Sequence, residues 1–247
     1  MQTSTKCEVL MRLKDKVALI TGGASGLGQM DAELLAAEGA RVVITDIDDK
    51  AGQILASTLN GLFLHHDVTS ESDWQRVMNA VTEHYGGLDI LVNNAGIVQV
   101  ADIESTSLEL YQRMNAVHND GTFLGCRYAI EAMRERGGSI INMSSLTAIR
   151  GYPLVPSYAA AKGAVLALTH TVAVHCRQKG YPIRCNAVLP GPIATPLALT
   201  VIEDASGMGQ PEDVAQMVLF LASDESKHVS GAQFVIDNAG SMVGGEA

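Results

Sequence analysis

The sequence predicts an α/β fold: one doubly wound domain with a parallel sheet flanked by helices. Three observations carry that prediction. Short apolar runs rich in β-branched residues alternate with longer stretches of helical period, and the first run leads straight into a glycine-rich turn that opens a helix. No linker, repeat or shift of composition divides the 247 residues, so one domain is expected.

Val17-Ala-Leu-Ile-Thr21 is the first strand and Gly22-Gly-Ala-Ser-Gly-Leu-Gly28 the turn after it. A helical pattern through Leu34, Leu35 and Ala37 stops at Gly39, and Arg41-Val-Val-Ile-Thr45 forms the second strand, ending in Asp46. Strand, helix and strand in this order make a βαβ unit, whose right-handed crossover requires parallel strands. Glycines without Cβ atoms let the backbone approach a pyrophosphate, and a helix N-terminus offers it unpaired N–H groups. Asp46 follows Gly28 by eighteen residues, close to the spacing of a carboxylate that accepts hydrogen bonds from an adenosine ribose. It would repel a 2′-phosphate, and no Arg or Lys lies within the turn to offset it, so NAD is expected over NADP.

Gly61-Leu-Phe-Leu64 is the third strand, leading to His65-His66-Asp67-Val68. A helix from Glu71 to Tyr85 carries the single tryptophan, Trp74, and Leu88-Asp-Ile-Leu-Val92 leads as fourth strand into Asn93-Asn-Ala-Gly96. Ligands of such sheets bind beyond the carboxyl ends of the strands, which puts Asp67 and Asn94 on the cofactor side. The adjacent histidines lack a third ligand at suitable spacing, so no metal site is expected. Ser107 to about Arg136 is one long helical pattern ending at Gly137-Gly138, and Ser139-Ile-Ile-Asn-Met143 is the fifth strand, with Ser144 and Ser145 at its carboxyl end.

A loop with Pro153 and Pro156 precedes a helix from about Ser157 to Lys179. Its small residues (Ala159, Ala160, Ala161, Gly163, Ala164, Ala167) permit close approach either of another subunit or of the chain's own sheet. Ile183-Arg-Cys-Asn-Ala-Val188 is the sixth strand, followed by Pro190-Gly-Pro-Ile-Ala-Thr-Pro196. The stretch from Leu197 to Met208 lacks a clear period. Gly209-Gln-Pro-Glu-Asp213 opens a helix marked by Val214, Met217, Val218 and Leu221, and Gln233-Phe-Val-Ile236 is the last strand.

Chemistry concentrates between Ser145 and Lys162. Tyr158 and Lys162 are four apart and share a helix face. An ammonium beside a phenol favours the phenolate and would bring the tyrosine toward neutrality, where it passes a proton to or from a substrate oxygen. Ser145 supplies a hydroxyl to the same oxygen.

Bulk properties exclude other classes. A formal charge of −10 with scattered basic residues argues against nucleic acid. The four cysteines show no CxxC or CxxH spacing, which argues against zinc and for free thiols in a reducing cytoplasm. No run of eighteen apolar residues appears, so no membrane association is expected. Residues 1–11 are mostly polar and lack the apolar centre of a secretory signal; they read as a disordered extension ahead of a domain over 12–247.

Taken in order, Thr21-Gly-Gly-Ala-Ser-Gly-Leu-Gly28, Asp67-Val68, Asn93-Asn-Ala-Gly96, Ser145, Tyr158-Ala-Ala-Ala-Lys162 and Pro190-Gly191 resemble the short-chain dehydrogenase/reductase family from about Leu13 to Ser241. Within it, His66-Asp-Val-Thr-Ser-Glu-Ser-Asp-Trp74 and His175-Cys-Arg-Gln-Lys-Gly-Tyr181 are most similar to bacterial NAD-dependent secondary-alcohol and hydroxysteroid dehydrogenases. The resemblance implies a Rossmann fold with a seven-stranded parallel sheet and a homotetramer or homodimer. It implies hydride transfer between NAD(H) and a secondary alcohol or its ketone, with a hydroxysteroid as the alternative substrate. Tyr158 would be the acid or base, Lys162 would lower its pKa and hold the nicotinamide ribose, and Ser145 would orient the substrate oxygen. Gly22, Ser25, Gly26, Leu27 and Gly28 would hold the pyrophosphate, and Asp46, Ile47, Asp67, Val68, Asn94, Ala95 and Gly96 the adenosine half. Pro190, Gly191, Ile193 and Thr195 would fix the nicotinamide end. A dinucleotide-binding regulator without chemistry is the remaining alternative, and it has no need of Ser145, Tyr158 and Lys162.

Two departures stand out. In Ala116-Val-His-Asn-Asp-Gly-Thr-Phe123, His118 falls where the family usually places a catalytic Asn that holds a water next to the lysine. His118 is expected to hold that water or to titrate within the relay; a shifted helix would bring Asn119 or Asn115 there instead. The segment from Pro196 to Met208 is shorter than the family's usual substrate loop, implying either an open pocket for a bulky ketone or a loop that is merely trimmed.

Overall fold

The computed structural model describes residues 11–202 and 204–242. The expected extension therefore lies outside the described residues except for Met11, whose side chain packs against Gly39. Seven parallel strands, β1 (Val17–Thr21), β2 (Arg41–Asp46), β3 (Leu62–His65), β4 (Ile90–Asn93), β5 (Gly138–Met143), β6 (Ile183–Pro190) and β7 (Gln233–Ile236), form one sheet in the order β3-β2-β1-β4-β5-β6-β7. This is the single-domain, doubly wound Rossmann arrangement read from the sequence, with strand boundaries moved by no more than two residues.

Burial explains why the central strands read as unbroken apolar runs. β1 is buried along its whole length. Ala18 and Ile20 of that strand join one core with Val42, Ile44, Ile90, Val92, Ile141 and Met143, under α1 (Gly26–Ala37), α2 (Asp49–Thr58) and α7 (Pro211–Ala222). Val17 and Leu19 point the other way, joining Val43, Leu91 and Ile140 under α3 (Glu71–Tyr85), α5 (Gly121–Met133) and α6 (Pro156–Lys179). Successive side chains of a strand face opposite sides, so helices on both faces leave no polar side to read.

Two local features differ from expectation. The sequence singles out no helix between β2 and β3, yet α2 fills that crossover, capped by the Asp48 side chain, which accepts from the Ala51 N–H at 3.0 Å. Only Gly52, Leu55 and Ala56 of α2 are buried, which leaves a weak apolar period. The long helix expected from Ser107 to Arg136 is divided: α4 (Leu108–Asn115) passes through a wide π turn over Ala116–Asp120 into α5. One residue added to a helical turn rotates the remainder of the helix by about 100°, and such bulges concentrate at functional sites. His118 lies inside this one, 1% exposed.

The strand order reverses between β1 and β4, so the turns leaving these strands part and open a crevice at the carboxyl edge of the sheet.

Candidate active site

A cleft of about 810 Å³ occupies that crevice. Every residue predicted for the cofactor or the chemistry lines it, with the single exception of Gly28. Gly28 lies behind the glycine turn, where a Cβ would collide with the Gly22 carbonyl and stand 2.5 Å from the Asn94 side-chain nitrogen. Its part is to let α1 come close to the strand end.

The turn itself is tied to β4. Asn94 donates from its side-chain amide to the Thr21 and Gly22 carbonyls, both at 3.0 Å, and Thr21 Oγ1 accepts from the Asn94 and Ala95 N–H groups at 3.0 and 3.1 Å. Thr21 heads the glycine motif in the sequence, but only the structure shows that it ties the turn to β4. Gly22 has φ +60°, and a Cβ there would meet Ala95 Cα at 2.7 Å, so both its conformation and its space exclude a side chain. No side chain caps the N-terminus of α1, which leaves its first-turn N–H groups directed at the cleft for an anion.

At the far end Asp46 accepts from the Ala24 N–H at 3.1 Å and from the Asp48 N–H at 3.0 Å, which fixes the carboxylate beside the glycine turn with lone pairs to spare. Ile47 next to it is 69% exposed. The Asp67-Val68 turn is held from below: Asp67 N–H donates to Asp73, Asp67 Oδ1 accepts from the Thr69 N–H and hydroxyl, and Trp74 Nε1 donates to the Val68 carbonyl at 3.0 Å. His66 also lines the cleft, its Nδ1 3.1 Å from Thr45 Oγ1 and its ring edge-on to Trp74; burial pulls its pKa down to about 4. The adjacent His65 points away to Asp49, 2.8 Å distant, so the pair does not converge on one ion. The sequence assigns His66 no site role beyond its place in the stretch His66–Trp74, and its contribution to the cleft lining is seen only in the structure.

The cradle suits a nicotinamide dinucleotide: side-chain-free backbone and an uncapped helix for phosphates, a fixed carboxylate for ribose hydroxyls, and an apolar rim beside it for a purine.

The reactive groups lie at the end of β5 and the start of α6. Ser145, 8% exposed, follows β5, and its hydroxyl accepts from the Thr147 N–H at 3.2 Å. Ser144 Oγ donates to the Lys162 carbonyl at 2.8 Å and fastens α6 to the strand end. Tyr158 and Lys162 face the cleft one turn apart, and the Lys162 ammonium lies 5.5 Å from the Tyr158 ring centroid while donating to the Met143 carbonyl at 2.7 Å.

The expected direction of the tyrosine shift is not what burial produces. Desolvation pushes the Tyr158 phenol up to about 12, opposed by a hydrogen bond from Ser145, and the same burial pulls Lys162 down to about 7. Spacing on a helix reveals that two groups are neighbours; it does not reveal that Lys162 is buried while Tyr158 is partly covered at the cleft wall.

His118, not Asn115 or Asn119, reaches the cleft; Asn115 is spent on the Tyr111 carbonyl at 2.9 Å. Its Nε2 lies 2.8 Å from the Ile97 carbonyl oxygen and 3.2 Å from the Ile97 nitrogen, so the ring is clamped to the segment after β4. Nδ1 is buried without a partner and faces Gly96, where a Cβ would come within 2.6 Å of the ring. Burial first, then the Lys162 charge, pull the imidazole well below its ordinary pKa. Of the two roles expected for His118, this shift favours a neutral ring that holds a water over one that titrates near neutrality.

Comparison with known proteins gives a consistent result. A family described as enoyl-(acyl carrier protein) reductase matches residues 22–240. A 3-beta-hydroxysteroid dehydrogenase of Comamonas testosteroni is 44% identical over 245 residues, covering 92% of this chain and 96% of the relative. An NADP-dependent (R)-specific alcohol dehydrogenase of Lentilactobacillus kefiri is 38% identical, covering 92% and 96%. The crystal structure of levodione reductase superposes with a TM-score of 0.89 at 32% identity, covering 94% of this chain and all of that one.

Proposed function

The chain belongs to the short-chain dehydrogenase/reductase family, and from that premise we propose that it moves hydride between NAD(H) and a secondary alcohol and its ketone, with Tyr158 as acid and base. The observation that carries this reading is the convergence of Ser145, Tyr158 and Lys162 on one wall of a cleft whose other end is built for a dinucleotide. The bound cofactor supplies or accepts the hydride. In alcohol oxidation Tyr158 takes the hydroxyl proton as hydride leaves the carbon, and in reduction it returns that proton to the oxygen. The Ser145 hydroxyl donates to the same oxygen and stabilises negative charge there. Lys162, its Nζ 5.5 Å from the Tyr158 ring centroid, would place a cation beside the phenol once an anionic cofactor favours its protonated form, and would hold the cofactor ribose. His118 Nδ1, a buried nitrogen without a partner among the described residues, would hold a water between Lys162 and solvent.

NAD is favoured over NADP by Asp46, a carboxylate where a 2′-phosphate would lie. Contacts from Ile193 and Thr195 to the nicotinamide carboxamide belong to the same proposal; Thr195 Oγ1 is positioned by accepting from the Ala198 N–H at 3.1 Å. An oligomer, a homotetramer or homodimer, is supported by the outward face of the long helices, where Tyr111, Phe123 and Val174 are exposed and Ala160 and Ala167 are small. Cys126, Cys176 and Cys185 are buried, unpaired thiols, which supports a reducing cytoplasmic setting. Among the described residues no helix is long and apolar enough to cross a membrane.

A panel of secondary alcohols and hydroxysteroids, assayed with NAD and with NADP by the absorbance of the reduced nicotinamide, tests the reading. Turnover with NAD is expected; tight NADH binding without turnover of any alcohol would leave only the regulator.

A further inference from the structure

The adenosine end of the cleft hangs on an edge strand. β3 pairs only with β2, so the Asp67-Val68 turn after it takes its height from one neighbouring strand and from α3 beneath it. His66 touches both supports. Its N–H donates to the Asp46 carbonyl at 2.9 Å, and its Nδ1 lies 3.1 Å from Thr45 Oγ1 near the end of β2. Its ring stands edge-on to Trp74 of α3, with centroids 4.4 Å apart, and Trp74 Nε1 donates to the Val68 carbonyl.

The bond to Thr45 is the only hydrogen bond of this side chain among the described residues. His66 and Thr45 are both buried, and Nε2 of the ring has no partner there. A ring that merely filled space under the turn would do so better as phenylalanine, since an unpaired buried nitrogen costs free energy. Burial pulls the pKa down to about 4, against the Asp73 carboxylate, so the ring is neutral at pH 7 and meets Thr45 through a directional bond rather than a charge. The Thr45 hydroxyl has one further partner, the Ile20 carbonyl at 3.4 Å, and Thr45 immediately precedes Asp46.

Resting on the dinucleotide reading of the cleft, we infer that His66 is a positioning residue for the adenosine half: its bond to Thr45 fixes the Asp67-Val68 turn relative to the Asp46 carboxylate, so that base and ribose are received at one set separation. It acts through Trp74 and Val68 on one side and through Thr45 and Asp46 on the other. A side chain held in this way preorganises groups that touch the ligand.

The test titrates adenosine monophosphate, which carries the adenosine half alone, into the full chain by calorimetry. His66→Phe keeps a ring against Trp74 and removes the bond to Thr45, and Thr45→Val removes the same bond from its other end while keeping the side-chain volume. Each should raise the Kd roughly threefold to tenfold, the order that one hydrogen bond contributes. The double variant should lose little more than either single one, because both break one shared bond. His66→Asn, whose side-chain amide stands where Nδ1 does, should stay within about twofold of the parent. In turnover, the KM for NAD should rise in His66→Phe and Thr45→Val by a larger factor than the KM for the alcohol. An unchanged Kd in His66→Phe and Thr45→Val would overturn the inference and leave His66 as packing; if His66→Phe does not fold, Thr45→Val decides alone. No binding of adenosine monophosphate to the parent chain would sink the dinucleotide reading of the cleft as well.

Discussion

The imidazole of His118 stands edge-on to the phenol ring of Tyr158, with centroids 5.1 Å apart and planes at 88°. The contact joins the π turn between α4 and α5 to the first turn of α6, and the backbone of Ile97 fixes the imidazole from its other side. The residue proposed as acid and base is therefore held by two elements, its own helix and the bulge facing it. Gly96 completes the arrangement by leaving room for the ring.

Replacing His118 should separate packing from titration. His118→Leu removes the clamp to Ile97 and the unpartnered nitrogen, and turnover should fall roughly 10- to 100-fold, the range of a misplaced catalytic group. His118→Asn keeps a neutral hydrogen-bonding side chain and should retain most of the activity. Because burial holds the imidazole neutral, neither change should add or remove an inflection between pH 6 and 7 in the kcat profile. An inflection there in the parent, lost in both variants, would mean that His118 titrates during turnover.

As the proposed acid and base, Tyr158 should set the pH dependence of the two directions. Oxidation needs the phenol deprotonated, and its pKa is pushed up to about 12. Alcohol oxidation should therefore rise with pH through pH 9 without a plateau, while ketone reduction, which uses the protonated phenol, should be flat or fall. A plateau beginning near pH 7 would show that the Lys162 charge outweighs burial once substrate and cofactor are bound. Tyr158→Phe keeps the ring and removes the proton, and its kcat should fall at least ~100-fold.

The strands were legible because a two-faced core makes them uniformly apolar, and the glycine turn and Asp46 because their backbone chemistry tolerates few alternatives. What the sequence hid was enclosure. Burial pushes the Tyr158 phenol up and the Lys162 amine down, against the shift that their spacing alone suggests, and it lowers the His118 pKa. The π turn was hidden for another reason: Ala116-Val-His-Asn-Asp120 differs little in propensity from an ordinary helical turn, and only packing against Gly96 and Ile97 selects the wider one.

Cofactor choice should follow Asp46. Its carboxylate would accept from ribose hydroxyls, hydrogen bonds to a charged group worth about 1.5–3 kcal/mol. Asp46→Ala should accordingly raise the Kd for NAD at least ~10-fold, measured by NADH fluorescence titration. The same change removes the charge opposing a 2′-phosphate and should raise the ratio of NADP to NAD turnover. Faster turnover with NADP in the unaltered protein would remove Asp46 from this role.

A second carboxylate with no place in the chemistry governs stability. Asp31 in α1 is 1% exposed, and neither side-chain oxygen has a hydrogen-bond partner. Burial raises its pKa well above the ordinary carboxylate value, because the fold disfavours the charged form. Between that ordinary value and the raised one, the folded chain binds more protons at this site than the unfolded chain. Its contribution to stability therefore falls as pH rises through that window and is lowest above the folded pKa. Asp31→Ala keeps helix propensity and removes the unpaired oxygens, and it should stabilise the protein at pH 8 by about 1–3 kcal/mol, or roughly 2–4 °C in Tm per kcal/mol for a domain of this size. The gain should shrink toward pH 5. Asp31→Asn abolishes the titration while leaving the polar atoms unpaired, so it should flatten the pH dependence with a smaller gain at pH 8. Thermal melts of the three proteins from pH 5 to 9 decide the matter: an Asp31→Ala difference that stays constant with pH would show that the carboxyl keeps its ordinary pKa in the folded chain.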